Sequence, residues 1–153
     1  MSKDSRTTLK EGEQSAGKGE APNSENQKLN GQLKTNVPLT LADSHLDWGK
    51  WNTDPMTNIS ASPDYQTAFI GQGRQGSASG TEGWVKYLAG DGTYFTLYWD
   101  DPWSGDNNCT IGADGGSPGS YSYSVSYPHG GSDITAYYTI THNAGLIPKS
   151  KDK

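Results

Sequence analysis

TYFTLYWDDPW, residues 93–103, is the stretch that decides the fold. Its side chains alternate between two faces, of which one carries Tyr94, Thr96 and Tyr98 and the other Phe95, Leu97 and Trp99. Period-two alternation is typical of a β-strand, and apolar side chains on both faces favour a central strand that is covered on both sides. Pro102 cannot donate to a strand ladder, so we expect the chain to turn out of the sheet there.

Six further segments have the pattern of strands, and turns rich in Gly, Asn and Asp separate them. They are residues 28–37, a short strand that begins with Leu39 and Leu41, QTAFI (66–70), GWVKYL (83–88), SYSYSVSY (120–127) and ITAYYTIT (134–141). Residues that share one side of a strand are Leu29, Gly31, Leu33, Thr35 and Val37, then Tyr121, Tyr123, Val125 and Tyr127, then Ile134, Ala136, Tyr138 and Ile140. Residues 28–145 are therefore predicted to form an all-β domain, a compact antiparallel β-sandwich.

The two ends of the chain differ from this domain in composition. Residues 1–34 contain no aromatic residue, and the segment KEGEQSAGKGEAPNSENQK at 10–28 is almost entirely polar. Such a segment buries too little apolar area to offset the entropy cost of ordering it. We therefore predict a disordered polar tail at 1–27 and a short basic C-terminal tail at 146–153. The absence of a signal-peptide core and of a membrane-spanning run favours a protein made in soluble, cytoplasmic form.

The charge of the predicted domain limits its partners. Between Val37 and Pro148 there are three basic and eleven acidic side chains, a net charge of −8. This sign argues against a nucleic-acid partner, because the phosphate backbone attracts basic surfaces. It also argues against electrostatic attachment to anionic lipid. Any membrane affinity must come from insertion of aromatic side chains or from recognition of a particular headgroup.

Catalysis finds no support in the sequence. There is no nucleophile elbow, phosphate-binding glycine loop or zinc-protease motif, and Cys109 is the only cysteine. Asp100 and Asp101 are adjacent on a strand and point to opposite faces, which is unsuitable for a shared acid–base pair. Turn formation explains the acidic and amide residues of DDPWSGDNN (100–108) more simply than a calcium site does. We therefore predict no enzyme activity, no cofactor and no metal ion.

Tryptophans flank two of the turns, Trp48 and Trp51 in DWGKW (47–51) and Trp99 and Trp103 in WDDPW (99–103). Most aromatic residues of a β-sandwich belong to its core, and Trp99 is expected there. Trp48 and Trp103 lie beside turn-forming residues and suit either the core or the rim. A tryptophan at the rim suits a membrane interface or a sugar ring, because one side of the indole is apolar while its N–H stays hydrated.

Three motifs resemble the signatures of the aegerolysin family, in the same order and at similar spacing. They are SHLDWGKWNTDP (44–55), GRQGSASGTEG (73–83) and LYWDDPWSGDNN (97–108), and the resemblance covers about Leu33 to Thr141. The form with G-T-E-G (80–83) and an L-Y-aromatic-D-x-P-aromatic turn (97–103) looks most like the bacterial insecticidal branch. Fungal members usually have a cysteine where Asp101 stands.

The resemblance implies an aegerolysin- or actinoporin-like β-sandwich that binds a lipid of a target membrane, of the sphingolipid or ceramide phosphoethanolamine type. It implies action outside the producing cell, as the small targeting component of a two-part cytolytic or insecticidal toxin. A larger pore-forming protein would be the partner in such a toxin. The alternative interpretation is a soluble glycan- or receptor-binding sandwich without membrane permeabilisation.

The resemblance also implies the site. It matches Trp48, Trp99 and Trp103 with the motif tryptophans, Arg74 with a Cys-Gly-Arg arginine, and Ser79 with a position near the lipid headgroup that is often acidic in fungal members. Asp100 or Asp101 would accept hydrogen bonds from an ammonium-bearing headgroup or cap backbone N–H groups of the turn. The first strand has no aromatic residue, unlike fungal members, so selectivity for sphingomyelin with cholesterol is not predicted. The predicted lipid-binding residues are Trp48, Trp51, Arg74, Ser79, Glu82, Trp99, Asp100, Asp101 and Trp103.

Overall fold

A computed structural model describes residues 23–143, which form two β-sheets packed face to face. The strands are β1 Lys28–Thr35, β2 Leu39–Trp48, β3 Lys50–Thr53, β4 Asn58–Ile59, β5 Gln66–Gln72, β6 Gly80–Ala89, β7 Thr93–Pro102, β8 Asn108–Gly115, β9 Tyr121–Ser126 and β10 Asp133–His142. Short 3₁₀ turns at Ser24–Asn26 and Pro118–Ser120 precede β1 and β9. The predicted all-β sandwich is confirmed.

Each sheet has five strands, in the order β3-β5-β1-β10-β9 in the first and β4-β2-β6-β7-β8 in the second. β7 pairs with β6 on one side and with β8 on the other, which confirms the central position predicted for TYFTLYWDDPW. The β6–β7 hairpin turns at Gly90–Gly92, where Gly92 has a φ of 88°, a value that favours glycine. The second sheet is thus built largely from consecutive antiparallel strands.

One strand pair departs from the predicted antiparallel arrangement. β1 and β10 run parallel, from Lys28 opposite Asp133 to Thr35 opposite Ile140. A tight turn cannot join parallel neighbours, and here most of the domain lies between the two strands. Alternation within a strand indicates which side chains share a face, but it does not indicate the direction of the neighbouring strand. The sequence therefore did not predict the parallel pairing of β1 and β10.

The core lies between the two sheets and is formed by alternate residues of their strands. Phe69 stacks on Trp99 near its centre, with 4.7 Å between ring centroids. A Cβ at Gly31 would lie 2.4 Å from the Phe69 ring, so glycine on the buried side of β1 makes room for that ring. The inward faces predicted for β1 and β10 are confirmed, since the buried side chains include Leu29, Leu33, Thr35, Ile134, Ala136, Tyr138 and Ile140. Each large apolar side chain buried in this way contributes roughly 1.5–3 kcal/mol.

SYSYSVSY forms β9, the outermost strand of the first sheet. Tyr121 and Tyr123 point to the same side of it, opposite His142 and Ile140 of β10. Tyr121 is buried, whereas Tyr123 is 38% exposed. The predicted alternation is correct, but side chains of an edge strand are covered by a neighbouring strand on one flank only.

Residues 23–27 belong to the fold, so it begins upstream of the predicted boundary at Lys28. Ser24 is fully buried, and its Oγ donates to the carbonyl oxygen of Arg74 at 3.1 Å. The Nζ of Lys50 lies 2.6 Å from the carboxylate of Glu25. Hydrogen bonds rather than apolar burial hold this polar segment, and composition does not reveal them. The rest of the predicted N-terminal tail, and the predicted C-terminal tail at 146–153, lie outside the described residues.

Candidate functional site

The predicted site residues gather at one end of the sandwich, where β2 and β7 end and β3 and β6 begin. Trp48 is opposite Glu82 in the second sheet, and Glu82 is opposite Asp100. Directly opposed residues of antiparallel strands project from the same face. This row therefore runs from the Trp48 indole to the Glu82 carboxyl group and then to Asp100 on the next strand, on the face away from the core.

Gly49 passes the chain from the second sheet to the first, between Trp48 and Trp51. Its φ of 96° favours glycine, and a Cβ there would lie 2.4 Å from the carbonyl oxygen of Gln72. The Nε–H of Arg74 donates to the carbonyl oxygen of Gly49 at 3.4 Å. DWGKW therefore requires glycine at its centre, and this corner places one tryptophan on each sheet at the same end of the molecule.

Trp99 is the tryptophan of the site that the core encloses completely. Its Nε1–H donates to the Thr81 hydroxyl at 3.1 Å, which satisfies the polar atom of the buried indole. A Cβ at Gly71 or at Gly83 would lie 3.0 Å from the indole carbons, so both glycines provide space for this ring. The sequence expectation that Trp99 belongs to the core is confirmed.

The other three tryptophans of the predicted site reach the surface to different extents. Trp103 follows β7 and is 40% exposed, while Trp48 and Trp51 are partly buried. Trp51 packs edge-on against Phe69, with 6.2 Å between centroids. We call Trp48, Trp51 and Trp103 the tryptophan rim, because these residues lie at one end of the sandwich and are all at least partly accessible to solvent.

Glu82 and Asp100 differ in access although they lie opposite each other. Glu82 is partly exposed, and its carboxylate accepts a hydrogen bond from the Tyr98 hydroxyl. Asp100 is fully buried. Glu82 is therefore the carboxylate of this pair that a molecule from solvent can approach, and Tyr98 holds it in place. Tyr98 was not among the predicted site residues, although its position two residues before Asp100 places it on the same face.

Asp101 projects into the sandwich from the strand position opposite Thr81. It is fully buried, and neither of its carboxyl oxygens has a hydrogen-bond partner among the described residues. Burial raises the pKa of Asp101 to about 9, with further contributions from Asp100 and Asp133. Asp101 is therefore an uncharged carboxylic acid at neutral pH, and its location keeps it from direct contact with a ligand at the surface.

The glycine- and serine-rich motif GRQGSASGTEG forms the loop before β6 and the first four residues of that strand. Ser79 is fully buried, its N–H donates to the Ser77 hydroxyl at 3.0 Å, and the Ser77 hydroxyl donates to the Ser79 hydroxyl at 3.0 Å. The Ser24 N–H donates to the Ser77 carbonyl oxygen at 3.0 Å. Arg74, at the start of the loop, is exposed. The loop thus offers the Arg74 side chain to solvent and keeps the Ser79 hydroxyl inside.

Three further observations bear on what the site can do. Burial raises the pKa of Cys109 to about 12, so its sulfur stays a thiol at neutral pH rather than a nucleophilic thiolate. Among residues 23–143, no three His, Cys, Asp or Glu side chains are grouped as ligands for a metal ion. Within the same range, no helix is long and apolar enough to cross a bilayer.

Family assignment follows from a match to the Aegerolysin family model over residues 25–126, about two thirds of the chain. The chain is an aegerolysin. The match begins within the ordered N-terminal segment and runs to the end of β9. The resemblance inferred from the three motifs is thereby confirmed.

Solved structures share the fold of this aegerolysin at low sequence identity. IP-1A from Alcaligenes faecalis is 22% identical, with a TM-score of 0.63 over 81% of this chain and 96% of that one. RahU, solved with a TRIS molecule, is 21% identical, with a TM-score of 0.58 over 77% and 95% of the two chains. Nakanori, described as a lipid binding protein, is 15% identical, with a TM-score of 0.60 over 74% and 69%. A comparison with curated protein sequences gives no match.

The predicted site residues of the aegerolysin thus divide into a surface set and a buried set. Trp48, Trp51, Arg74, Glu82 and Trp103 have side chains at least partly accessible to solvent. Ser79, Trp99, Asp100 and Asp101 are fully buried. A lipid-binding role for either set stays a prediction, and members of the buried set can act only by supporting residues at the surface.

Proposed function

We propose that this aegerolysin binds the headgroup and upper acyl region of a membrane lipid through its tryptophan rim. The observation that carries the proposal is the position of three partly exposed indoles at one end of the sandwich, with the carboxylate of Glu82 opposite Trp48. Indole is well suited to the membrane interface, because its ring prefers the apolar side and its N–H the hydrated side.

The charge at this end favours a headgroup that carries an ammonium group. Glu82 is the accessible carboxylate of the Glu82–Asp100 pair, and an ammonium placed beside Trp48 would meet both a negative charge and the face of an indole. A cation over an aromatic ring gains about 0.5–2 kcal/mol, more where water is excluded. Sphingolipids with choline headgroups and ceramide phosphoethanolamine both meet this requirement. Description of the structurally similar Nakanori as a lipid binding protein supports the proposal.

We further propose that the protein acts by binding, without a catalytic step, as the targeting component of a two-part toxin. In this scheme it meets the outer leaflet of a target cell after leaving its producer, and a larger pore-forming protein then permeabilises the membrane. The family assignment supports this scheme, since the resemblance in sequence pointed to two-part cytolysins.

Sedimentation with liposomes tests the proposal, using ceramide phosphoethanolamine, sphingomyelin with cholesterol, or phosphatidylcholine alone. We expect selective pelleting with one lipid and no release of encapsulated dye by this protein alone. Trp103→Ala should weaken binding about tenfold, because it removes an exposed indole. Tyr137→Ala is the matched control, since Tyr137 is 43% exposed and lies on the outer side of the first sheet, whereas Trp103 follows a strand of the second sheet.

The remaining outcomes are equally informative. Dye release by this protein alone would contradict the targeting role and make it a self-sufficient cytolysin. Equal loss of binding in the Trp103 and Tyr137 variants would contradict the tryptophan rim as the contact surface. Absence of pelleting with every lipid would overturn lipid binding and favour the soluble glycan- or receptor-binding alternative.

A further inference from the structure

A separate cleft lies at the end of the sandwich opposite the tryptophan rim. It opens where β1 and β10 end and where the β6–β7 hairpin turns, and its volume is about 250 Å³. Its lining residues are Val37, Pro38, Gly90, Asp91, Tyr121 and His142. None of these residues belongs to the motifs that indicated the family, so the proposed lipid site does not account for the cleft.

Asp91 provides the negative charge of the cleft and is held in a fixed position. One carboxylate oxygen accepts from the Thr93 N–H at 3.0 Å, and the other accepts from the Tyr121 hydroxyl at 3.0 Å. Burial opposes ionisation, but the hydrogen bonds from Thr93 and Tyr121 and the neighbouring His142 outweigh it and lower the pKa of Asp91. The carboxylate is therefore ionised at neutral pH, and no lysine or arginine is among the lining residues of the described chain.

The walls of the cleft are apolar and rigidly connected. The rings of Tyr121 and His142 meet edge to face, with 4.9 Å between centroids. The backbone of His142 is tied to Asn36, whose Oδ1 accepts the His142 N–H at 2.7 Å and whose Nδ2 donates to the His142 carbonyl oxygen at 3.2 Å. Val37 and Pro38 complete the apolar side. The Tyr121 hydroxyl already donates to Asp91, so its proton is not free for a ligand.

We propose that this cleft binds a small primary amine with an apolar body. The ammonium would donate to the Asp91 carboxylate, while the hydrocarbon part would pack against Val37, Pro38 and the Tyr121 ring. A group with several N–H donors and a positive charge matches the fixed Asp91 carboxylate that lines the cleft. An anion would be repelled by the Asp91 carboxylate. A neutral alcohol of the same size could donate a hydrogen bond to it but would lack the charge-assisted bond.

Gly90 allows the cleft to be narrowed without altering the Asp91 carboxylate. A Cβ at Gly90 would meet no atom within 4 Å, and its φ lies outside the left-handed region. Since Gly90 is one of the lining residues, Gly90→Leu should narrow the cleft with little strain. Asp91→Asn removes the charge but keeps an oxygen that can accept the Thr93 N–H. Asp54→Asn is the matched control, since Asp54 is exposed and not part of the cleft.

The test is a titration of the full chain with benzylamine in phosphate buffer that contains no TRIS. Binding is measured by calorimetry and by changes in the amide chemical shifts. Benzyl alcohol and benzoate are the neutral and anionic counterparts. We expect shifts at Gly90, Asp91 and His142 with benzylamine, an affinity at least about tenfold lower for benzyl alcohol, and no binding of benzoate. Asp91→Asn should weaken benzylamine binding about tenfold. Gly90→Leu should abolish it, and Asp54→Asn should leave it unchanged.

Three results would overturn the proposal. Equal binding of benzyl alcohol would show an apolar cleft without ammonium recognition. Full affinity in Asp91→Asn, or in Gly90→Leu, would place any amine binding elsewhere on the protein. Shifts in no residue of the cleft would mean that it does not take this class of ligand. The melting temperature of each variant is measured as well. An unchanged value shows that a loss of binding is not caused by a loss of folding.

Discussion

Trp51 packs against Trp99 with 5.6 Å between their ring centroids, so the core directly supports one indole of the tryptophan rim. Trp51 belongs to an edge strand of the first sheet and Trp99 to a central strand of the second. The contact therefore crosses the sandwich and couples the shape of the rim to packing between the two sheets. Stability and binding should respond differently to changes at exposed and at buried tryptophans.

Trp99→Ala should lower the free energy of unfolding by about 3–5 kcal/mol, because it leaves a cavity beside Phe69 and removes the partner of the Thr81 hydroxyl. Trp103→Ala should change it by less than about 1 kcal/mol, since that side chain follows the strand and is exposed. Urea denaturation followed by circular dichroism measures both. Similar losses in the two variants would contradict the assignment of Trp99 to the core and Trp103 to the rim.

Asp101 should make the protein less stable as the pH rises. The pKa of this carboxyl is 3.8 in the unfolded chain and about 9 in the folded protein, so only the folded state binds the proton between these values. The contribution of Asp101 to the free energy of unfolding is therefore most favourable below about pH 4. It decreases as the pH rises from about 4 to about 9. One proton accounts for at most about 1.4 kcal/mol per pH unit.

Urea unfolding between pH 5 and 9 tests this expectation in the wild type and in Asp101→Asn. The variant cannot titrate at this position, so the decrease should be largely absent from it. Asp106→Asn, at an exposed position of the following turn, should keep the wild-type slope. The same slope in all three proteins would mean that another group causes the pH dependence.

Gly49→Ala should disturb the corner between the two sheets. Its positive φ and the 2.4 Å approach of a Cβ to the Gln72 carbonyl oxygen together cost about 3 kcal/mol of unfolding free energy. Gly76→Ala is the matched control, because Gly76 has a φ of 80° but a Cβ there meets no atom within 4 Å. That variant should lose only about 1–2 kcal/mol.

Thermal melting and tryptophan fluorescence distinguish these two glycine variants. Gly49→Ala should shift the emission spectrum as well as the melting temperature, because Trp48 and Trp51 flank the corner. Gly76→Ala should lower the melting temperature slightly and leave the emission unchanged. Equal effects would show that backbone conformation alone, and not the crowded corner, makes glycine necessary.

Glu82→Gln should weaken binding to vesicles whose lipid headgroups carry an ammonium group. Glutamine is about the same size and can still accept the Tyr98 hydrogen bond, so the variant removes the charge and keeps this contact. The expected decrease is about threefold at moderate salt, the size of one exposed charge interaction. Sedimentation at two salt concentrations measures it, with Asp54→Asn as the control. Unchanged binding in Glu82→Gln would remove this carboxylate from the lipid contact.

The local pattern of residues was sufficient to predict seven of the ten strands and their buried faces, whereas β3, β4 and β8 were not predicted. Alternation in TYFTLYW and in ITAYYTIT identified the inward sides of β7 and β10, because side chains of a strand point alternately to its two faces. The same rule separated Asp100 from Asp101. Three motifs with their glycine and tryptophan residues were sufficient to identify the family.

Access to the site could not be predicted in this way. Ser79 and Glu82 lie close together in one motif, yet the first is buried and the second is partly exposed. Burial depends on which segments cover a strand from above, and the segment from Asn23 to Gln27, predicted as part of a tail, packs against the Ser79 loop. Long-range hydrogen bonds of this kind leave no periodic pattern in the sequence.

The sequence by itself determined an all-β aegerolysin domain with tryptophans at its turns, since alternation, turn residues and motifs are local properties. Only the tertiary structure decided that β1 and β10 pair in parallel, that Asp101 is an uncharged acid inside the sandwich, and that Asp91 and Tyr121 meet in a cleft. These features join residues far apart in the chain. Their energies depend on desolvation and on distances between atoms, which exist only after the two sheets have packed.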